Sequence, residues 1–180
     1  ADADVHACDH IAYFWETEKE FRSAIGFLEM GLRGQDHCVI FGYEDANERV
    51  LTVLRERGFD QQQLQADKRL SVLTAHETAE GTLSQIGQTF AQAVKNGAPL
   101  VRLLGNIGWH RPKWPEEMDL LIFEAKVTDA CRLFPCCVVV IYDMRQLSGT
   151  GWRTAGLTTP LVTIRGDGTR CTHDFRVLVP

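Results

Sequence analysis

Residues 136–142 form the most hydrophobic run in the chain, with Val138, Val139, Val140 and Ile141 uninterrupted by any polar side chain. A strand with one solvated face alternates apolar and polar residues, whereas a continuous β-branched run fits a strand buried on both faces, as in a parallel sheet covered by helices above and below. Shorter apolar runs at 11–15, 38–41, 70–74 and 100–104 repeat the theme, and helical spacing follows most of them. After the first, Phe21, Ala24, Ile25, Leu28 and Leu32 make one stripe over residues 17–32, opened by a Thr17 and Glu20 capping box and closed by Gly34. Asp45 with Glu48 reads as the cap pair of a second helix bearing Val50, Leu51 and Leu54 and ending at Gly58. A third, over 82–96, carries Leu83, Ile86, Phe90 and Val94, and Pro115 opens a fourth with Met118, Leu121, Ile122 and Ala125. Residues 161–164 and 173–179 read as a terminal hairpin or edge strands. The expected architecture is α/β, a three-layer sandwich around a mostly parallel central sheet.

A chain of 180 residues, 44% apolar and 24% charged, can bury its own core, so residues 1–180 are read as a single domain with a flexible segment at 1–8. The net charge of −5, with Lys and Arg scattered, argues against direct nucleic-acid binding. No apolar stretch reaches the roughly 18–20 residues of a membrane span and no signal peptide opens the chain, which favours a cytoplasmic location. A start at Ala1 fits a domain cut from a longer protein as well as a processed terminus. The six cysteines contain no C-x-x-C pair and read as free thiols packed as small hydrophobes. His6, Cys8 and His10 fall on one face of an extended segment, a weak metal-site pattern that Cys171 and His173 repeat in spacing.

The first strand–helix junction bears on function. A phosphate-binding turn needs glycines, free N–H groups at a helix terminus and a Lys; this junction offers Glu16, Glu18 and Glu20 instead, which suit the helix dipole and repel an anion. In parallel sheets ligands sit beyond the carboxyl ends of the strands. The residues there, Glu16, Glu44, Trp109, Tyr142 and Asp143, together with His10, Tyr13 and Arg102, are the candidate ligand-binding set, and of these His10, Tyr13, Glu44, Arg102, Trp109 and Tyr142 are expected to line one cavity. The loop at 105–115, with Gly105 and Gly108 to permit movement, is the candidate lid that closes Trp109 over an apolar guest.

Residues 9–17 (DHIAYFWET), 27–38 (FLEMGLRGQDHC) and 102–109 (RLLGNIGW), followed by Glu124 and then Tyr142-Asp143, resemble the methanogen and methylotroph sensory domain, abbreviated MEDS, of dichloromethane-responsive repressors. The resemblance covers about residues 9–165. It implies a RecA-like fold that has lost its phosphate loop, and a sensor of small hydrocarbon-like molecules placed next to DNA-binding, kinase or anti-sigma modules. It also implies that residues 41–45 hold the place of a strand-end acidic pair, and residues 138–143 that of a strand ending in a magnesium-side Asp, here Asp143. His10 and Tyr13 match the family pattern of a His near the first strand and an aromatic residue after it, whereas Ala12 stands where many members have Cys or His.

Three classes of function follow. A ligand sensor needs an apolar pocket with a few polar anchors. A ligand-free interaction module of a signalling or anti-sigma pathway would instead expose an apolar patch around residues 109–114. An enzyme would need a nucleophile–base pair or activated metal, and none of the usual motifs is present. The expectation is therefore a non-catalytic sensor without a cofactor. Its partners would be a small-molecule ligand and an effector or signalling domain, with a homodimer left open.

Overall fold

The computed structural model describes residues 7–74, 78–106, 117–143, 145 and 175–178. Every apolar run becomes a strand: β1 (His10–Trp15), β2 (His37–Gly42), β3 (Leu70–Thr74), β4 (Val101–Asn106) and β5 (Cys136–Asp143), with β6 (Phe175–Leu178) near the carboxyl terminus. They form one six-stranded sheet in the order β3-β2-β4-β5-β1-β6. All pairings are parallel; β5 sits in register between β4 and β1, with Val138 opposite both Leu103 and His10. β6 is thus an edge strand parallel to β1, and the expected strand at 161–164 lies outside the described residues.

Five helices complete the described elements: α1 (Glu18–Arg33), α2 (Glu44–Glu56), the short α3 (Gln61–Ala66), α4 (Ala79–Lys95) and α5 (Glu117–Ala130). Alternation along the strands divides the core. Ile11, Trp15, Cys38, Ile40, Leu104, Val139 and Ile141 pack under α1 and α2, while Ala12, Phe14, Val39, Phe41, Leu103, Val138, Val140 and Tyr142 pack under α4 and α5. This arrangement is the three-layer α/β sandwich expected from the run at 136–142. Among the described residues no helix is long and apolar enough to cross a membrane.

The helix ends follow local chemistry. At α1 the capping box forms as expected: Glu20 N–H donates to Thr17 Oγ (3.3 Å), and Thr17 N–H donates to Glu20 Oε2 (2.9 Å). At α2 the expected Asp45 and Glu48 cap pair is corrected. β2 runs to Gly42, Tyr43 stays extended as the N-cap without a side-chain cap hydrogen bond, and Glu44 and Asp45 fall inside the first turn. There they meet the helix dipole rather than cap it. In α5 the expected stripe is corrected at Ala125, which is exposed, while Phe123, Val127 and Thr128 face inward; the side chains of Met118, Leu121 and Ile122 lie outside the described residues. In α4, Ile86 and Phe90 are buried as expected, with Thr82 and Ala93 completing the stripe while Val94 turns outward.

Candidate functional site

A polar patch interrupts the apolar layer beneath α5. His10, Ala12 and Phe14 of β1 and Val138, Val140 and Tyr142 of β5 point to this side, and α5 lowers Glu124 and Thr128 onto them from positions one turn apart. Glu124 reaches in both directions: its Oε2 lies 2.9 Å from His10 Nε2, and its Oε1 accepts from Tyr142 Oη at 3.0 Å. Ala12, fully buried between His10 and Phe14, keeps the floor of the patch low. The Tyr142 ring stacks on Phe14 with centroids 5.2 Å apart, which fixes the direction of its hydroxyl.

The hydrogen bonds assign the protons. Thr128 has one hydroxyl proton and donates it to the Glu124 carbonyl oxygen at 3.0 Å, so the 2.8 Å contact between Thr128 Oγ and His10 Nδ1 is donated by the imidazole. With Nδ1 protonated, the Nε2 lone pair of a neutral ring would face a carboxylate oxygen at 2.9 Å, which is repulsive. The contact holds together only with a second proton between the two side chains, as imidazolium with carboxylate or as neutral ring with carboxylic acid. The pair is close and buried, yet off the line of a straight hydrogen bond. Burial first, and then the Glu124 charge, raises the Tyr142 hydroxyl well above its ordinary range, so it stays a donor.

The neighbouring thiols are inert. The hydrogen bond that the Cys131 thiol donates to Cys136, burial, and then the charges of Cys136, Glu124 and Asp9 push the Cys131 thiol far up, and burial pushes Cys38 up to about 12. Cys38, Cys131, Cys136 and Cys137 are free and buried, as expected of small hydrophobes. Cys8 is the correction to the free-thiol reading, since it is disulfide-bonded. That bond and the inward turn of His10 dismantle the proposed metal face; His6, Cys171 and His173 lie outside the described residues, among which no cluster fit for a metal occurs.

The structure brings together His10 and Tyr142 of the candidate set, not the whole set. Tyr13 points to the opposite side of the sheet, where its hydroxyl donates to the Glu20 carbonyl at 3.2 Å. Glu16 is exposed at the β1–α1 junction, and Glu44 is exposed on the first turn of α2. Asp143 ends β5 on the α1 side, where Arg145 clamps it at 2.7 Å and stacks on the Trp15 ring with Arg49. Burial raises the Asp143 carboxyl, but the Arg145 hydrogen bonds and charge and the Arg49 charge together hold it below its usual range. Glu18 pairs with Arg49 and Glu20 is locked in the capping box, so the first junction uses its carboxylates internally. Trp109 lies outside the described residues.

Arg102 is at the other end of the sheet. It occupies the second position of β4, pairs with Asp36 at 2.6 Å and lies over the Phe27 ring at 5.2 Å. A Cβ on Gly31 would meet Arg102 Cδ at 2.6 Å and Cys38 Sγ at 2.9 Å, so Gly31, Asp36, Cys38 and Phe27 form a cradle for this guanidinium. The expected single cavity is thereby corrected: the sheet separates Tyr13 from His10 and Tyr142, and its length separates Arg102 from the carboxyl edge. Sequence reasoning passed over Thr128 altogether and left Glu124 outside the set. Their signal was a polar pair at helical spacing in a helix whose apolar residues spread around its whole circumference.

Comparison with known proteins adds to this geometry. The family described as MEthanogen/methylotroph, DcmR Sensory domain (MEDS) matches residues 9–156. The transcriptional repressor DcmR of Methylorubrum extorquens (strain DSM 6343 / CIP 106787 / DM4) is 24% identical over 153 residues, which cover 84% of this chain and 58% of the repressor. The chain thus spans little more than half the length of that relative.

Proposed function

The chain belongs to the MEDS family, and from that premise we propose that it is a non-catalytic sensory domain of a regulatory system, which binds a small, apolar or hydrocarbon-like molecule and controls a linked transcription or signalling module. The observation that carries this reading is the close but poorly aligned His10–Glu124 pair held under α5. A charged pair in an apolar layer costs stability unless well bonded, and proteins keep such costs where they serve a second state. A guest entering beside Ala12 and Phe14 would move α5 relative to β1 and β5 and change how Glu124 divides between His10 and Tyr142. Such a ligand shifts the two arrangements only by its differential affinity for them. The internal pairing of Glu18, Glu20 and Asp143 favours a β1–α1 junction without affinity for nucleotide phosphates, in keeping with a domain that hydrolyses nothing.

The test uses Glu124→Gln and Tyr142→Phe in the full-length protein, with the regulated output measured with and without inducer. We expect Glu124→Gln to abolish the difference between the two conditions and Tyr142→Phe to reduce it, both with the far-UV circular dichroism of the parent. Unchanged induction in a folded Glu124→Gln protein would sink the sensing role of the patch and favour an interaction module.

A further inference from the structure

We infer that the amino edge of the sheet is a docking surface for a protein partner that presents apolar side chains rimmed by carboxylates. In a parallel sheet the covering helices run back against the strands, so each helix ends at the amino edge. Among the described residues, the large hydrophobic side chains that stand exposed are Met30, Val94 and Leu133, and all three lie at this edge. Met30 is in the last turn of α1, Val94 is in the last turn of α4, and Leu133 follows α5 in the turn that leads to β5. Val94 and Leu133 belong together. Phe134 sets its ring edge to face against Phe90 at 5.8 Å, and Val94 stands one helical turn beyond Phe90. The turn after α5 thus packs Phe134 against the core and leaves Leu133, its neighbour, 77% exposed.

Charge identifies the partner. Although the chain carries a net charge of −5, its helices divide that charge along the strand direction. First turns hold Glu18, Glu20, Glu44, Asp45 and Glu80 at the carboxyl edge, and last turns hold Arg33, Arg55 and Lys95 at the amino edge. The helix dipole accounts for these signs, but not for exposed apolar side chains among the cations. Beside the Val94 and Leu133 patch, Lys95 makes no ion pair among the described residues, and Arg132 meets Asp129 only at 3.6 Å. Cations around an apolar centre match a surface of apolar side chains with an Asp and Glu rim, and that match guides the encounter and fixes its register. A nucleic-acid backbone would set phosphates against Leu133 and Val94 and would meet Asp129, and two amino edges brought together would set like charges face to face. The inference rests on the regulatory reading for the existence of a partner. It gives that reading a route, since α5 carries Glu124 and Thr128 inward and ends three residues before Leu133.

The test titrates the 15N-labelled chain with an amphipathic helical peptide that has a leucine stripe and glutamates on its other faces, then with its lysine counterpart and its serine-for-leucine counterpart. We expect the glutamate peptide alone to shift the Val94, Lys95 and Leu133 amides with saturation. Leu133→Asp, at a side chain that stands in solvent, keeps the fold and should weaken that response about tenfold or more, because it sets a like charge at the centre of the contact. Lys95→Glu should weaken it less and remove most of its salt dependence. An equal response to the lysine peptide, a response centred on other residues, or none at all would overturn the proposal. The same amides shifting with protein concentration alone would mark a contact between copies and overturn it too, as would their response to a DNA duplex in place of the peptide. No inducer enters these titrations, so their failure is separate from a failure of the sensing role tested with Glu124→Gln.

Discussion

Two histidines begin strands on the same side of this sheet, both are buried, and they are held in opposite ways. His37 at the start of β2 donates from Nδ1 to the Lys68 carbonyl at 2.7 Å and accepts at Nε2 from Ser71 Oγ at 2.9 Å, so the neutral ring is fully satisfied. His10 at the start of β1 gives its Nδ1 proton to Thr128 and turns Nε2 toward a carboxylate at 2.9 Å, where one further proton is required. Burial of a polar ring is therefore no sign of function by itself; the charge of the partner makes the difference. His37 is a lock between β2 and β3, while His10 meets a carboxylate, the contact on which the sensing role proposed for this patch rests.

The sharpest way to break the comparison is to remove the carboxylate. Glu124→Ala leaves the proton-requiring His10 Nε2 and the Tyr142 hydroxyl in an apolar layer, and we expect a loss of about 3–5 kcal/mol in urea unfolding. The double replacement His10→Leu with Glu124→Leu should cost far less than the sum of the single changes, since apolar side chains of similar volume replace a buried pair. Additive costs would mean that the two side chains do not interact. At the other histidine, His37→Leu strands the Lys68 carbonyl and the Ser71 hydroxyl, and a loss of about 2 kcal/mol is expected, with no dependence on the state of Glu124. Coupling between His37 and Glu124 in a double-mutant cycle would overturn the claim that the regions are independent.

Tyr142→Phe is the milder probe of the same patch. It removes one hydrogen bond to Glu124 while keeping the ring stacked on Phe14, and about 1 kcal/mol of stability should go with it. The raised Tyr142 hydroxyl has a second consequence. Above pH about 10 the unfolded chain ionises this group while the folded chain resists, so stability present below that pH is lost as pH rises. Tyr142→Phe should flatten that alkaline decline, and an identical decline in the variant would contradict the burial of the hydroxyl.

The sequence carried the architecture further than the site. Uninterrupted runs such as 136–142 announce strands buried on both faces, and the Thr17 and Glu20 box marks its helix start without help from tertiary structure. The site depends on which side of a strand each residue takes and which helix covers it. Strand parity alone puts His10 and Tyr13 on opposite faces, so their spacing, read as a shared motif, in fact divides them. Arg102 was misleading because it lies inside the run at 100–104 rather than after it, and its side chain meets Asp36 at the start of β2 instead of the carboxyl edge. Glu124 and Thr128 gain meaning only when α5 sets them on β1, where Thr128 meets a histidine 118 residues away along the chain.

The smallest effect expected lies at acid pH and belongs to His37. Burial lowers its proton affinity, the Lys68 carbonyl opposes that, and the Arg69 charge adds to the lowering. The unfolded chain takes up a proton near pH 6.5 while the folded ring still resists. This contribution is therefore whole above about pH 6.5 and is lost as pH falls toward the lowered folded value. A protonated His37 would also turn Nε2 into a donor facing Ser71, whose hydroxyl must then rotate to accept, so the lock weakens without breaking. Urea midpoints of the parent and of His37→Phe at pH 7, 6 and 5 make the test, with the replacement compared only by slope. We expect the parent to lose more stability over that range than the variant. Parallel slopes would mean that the ring is charged in the folded chain at pH 5, and with it the distinction between the two histidines would fall.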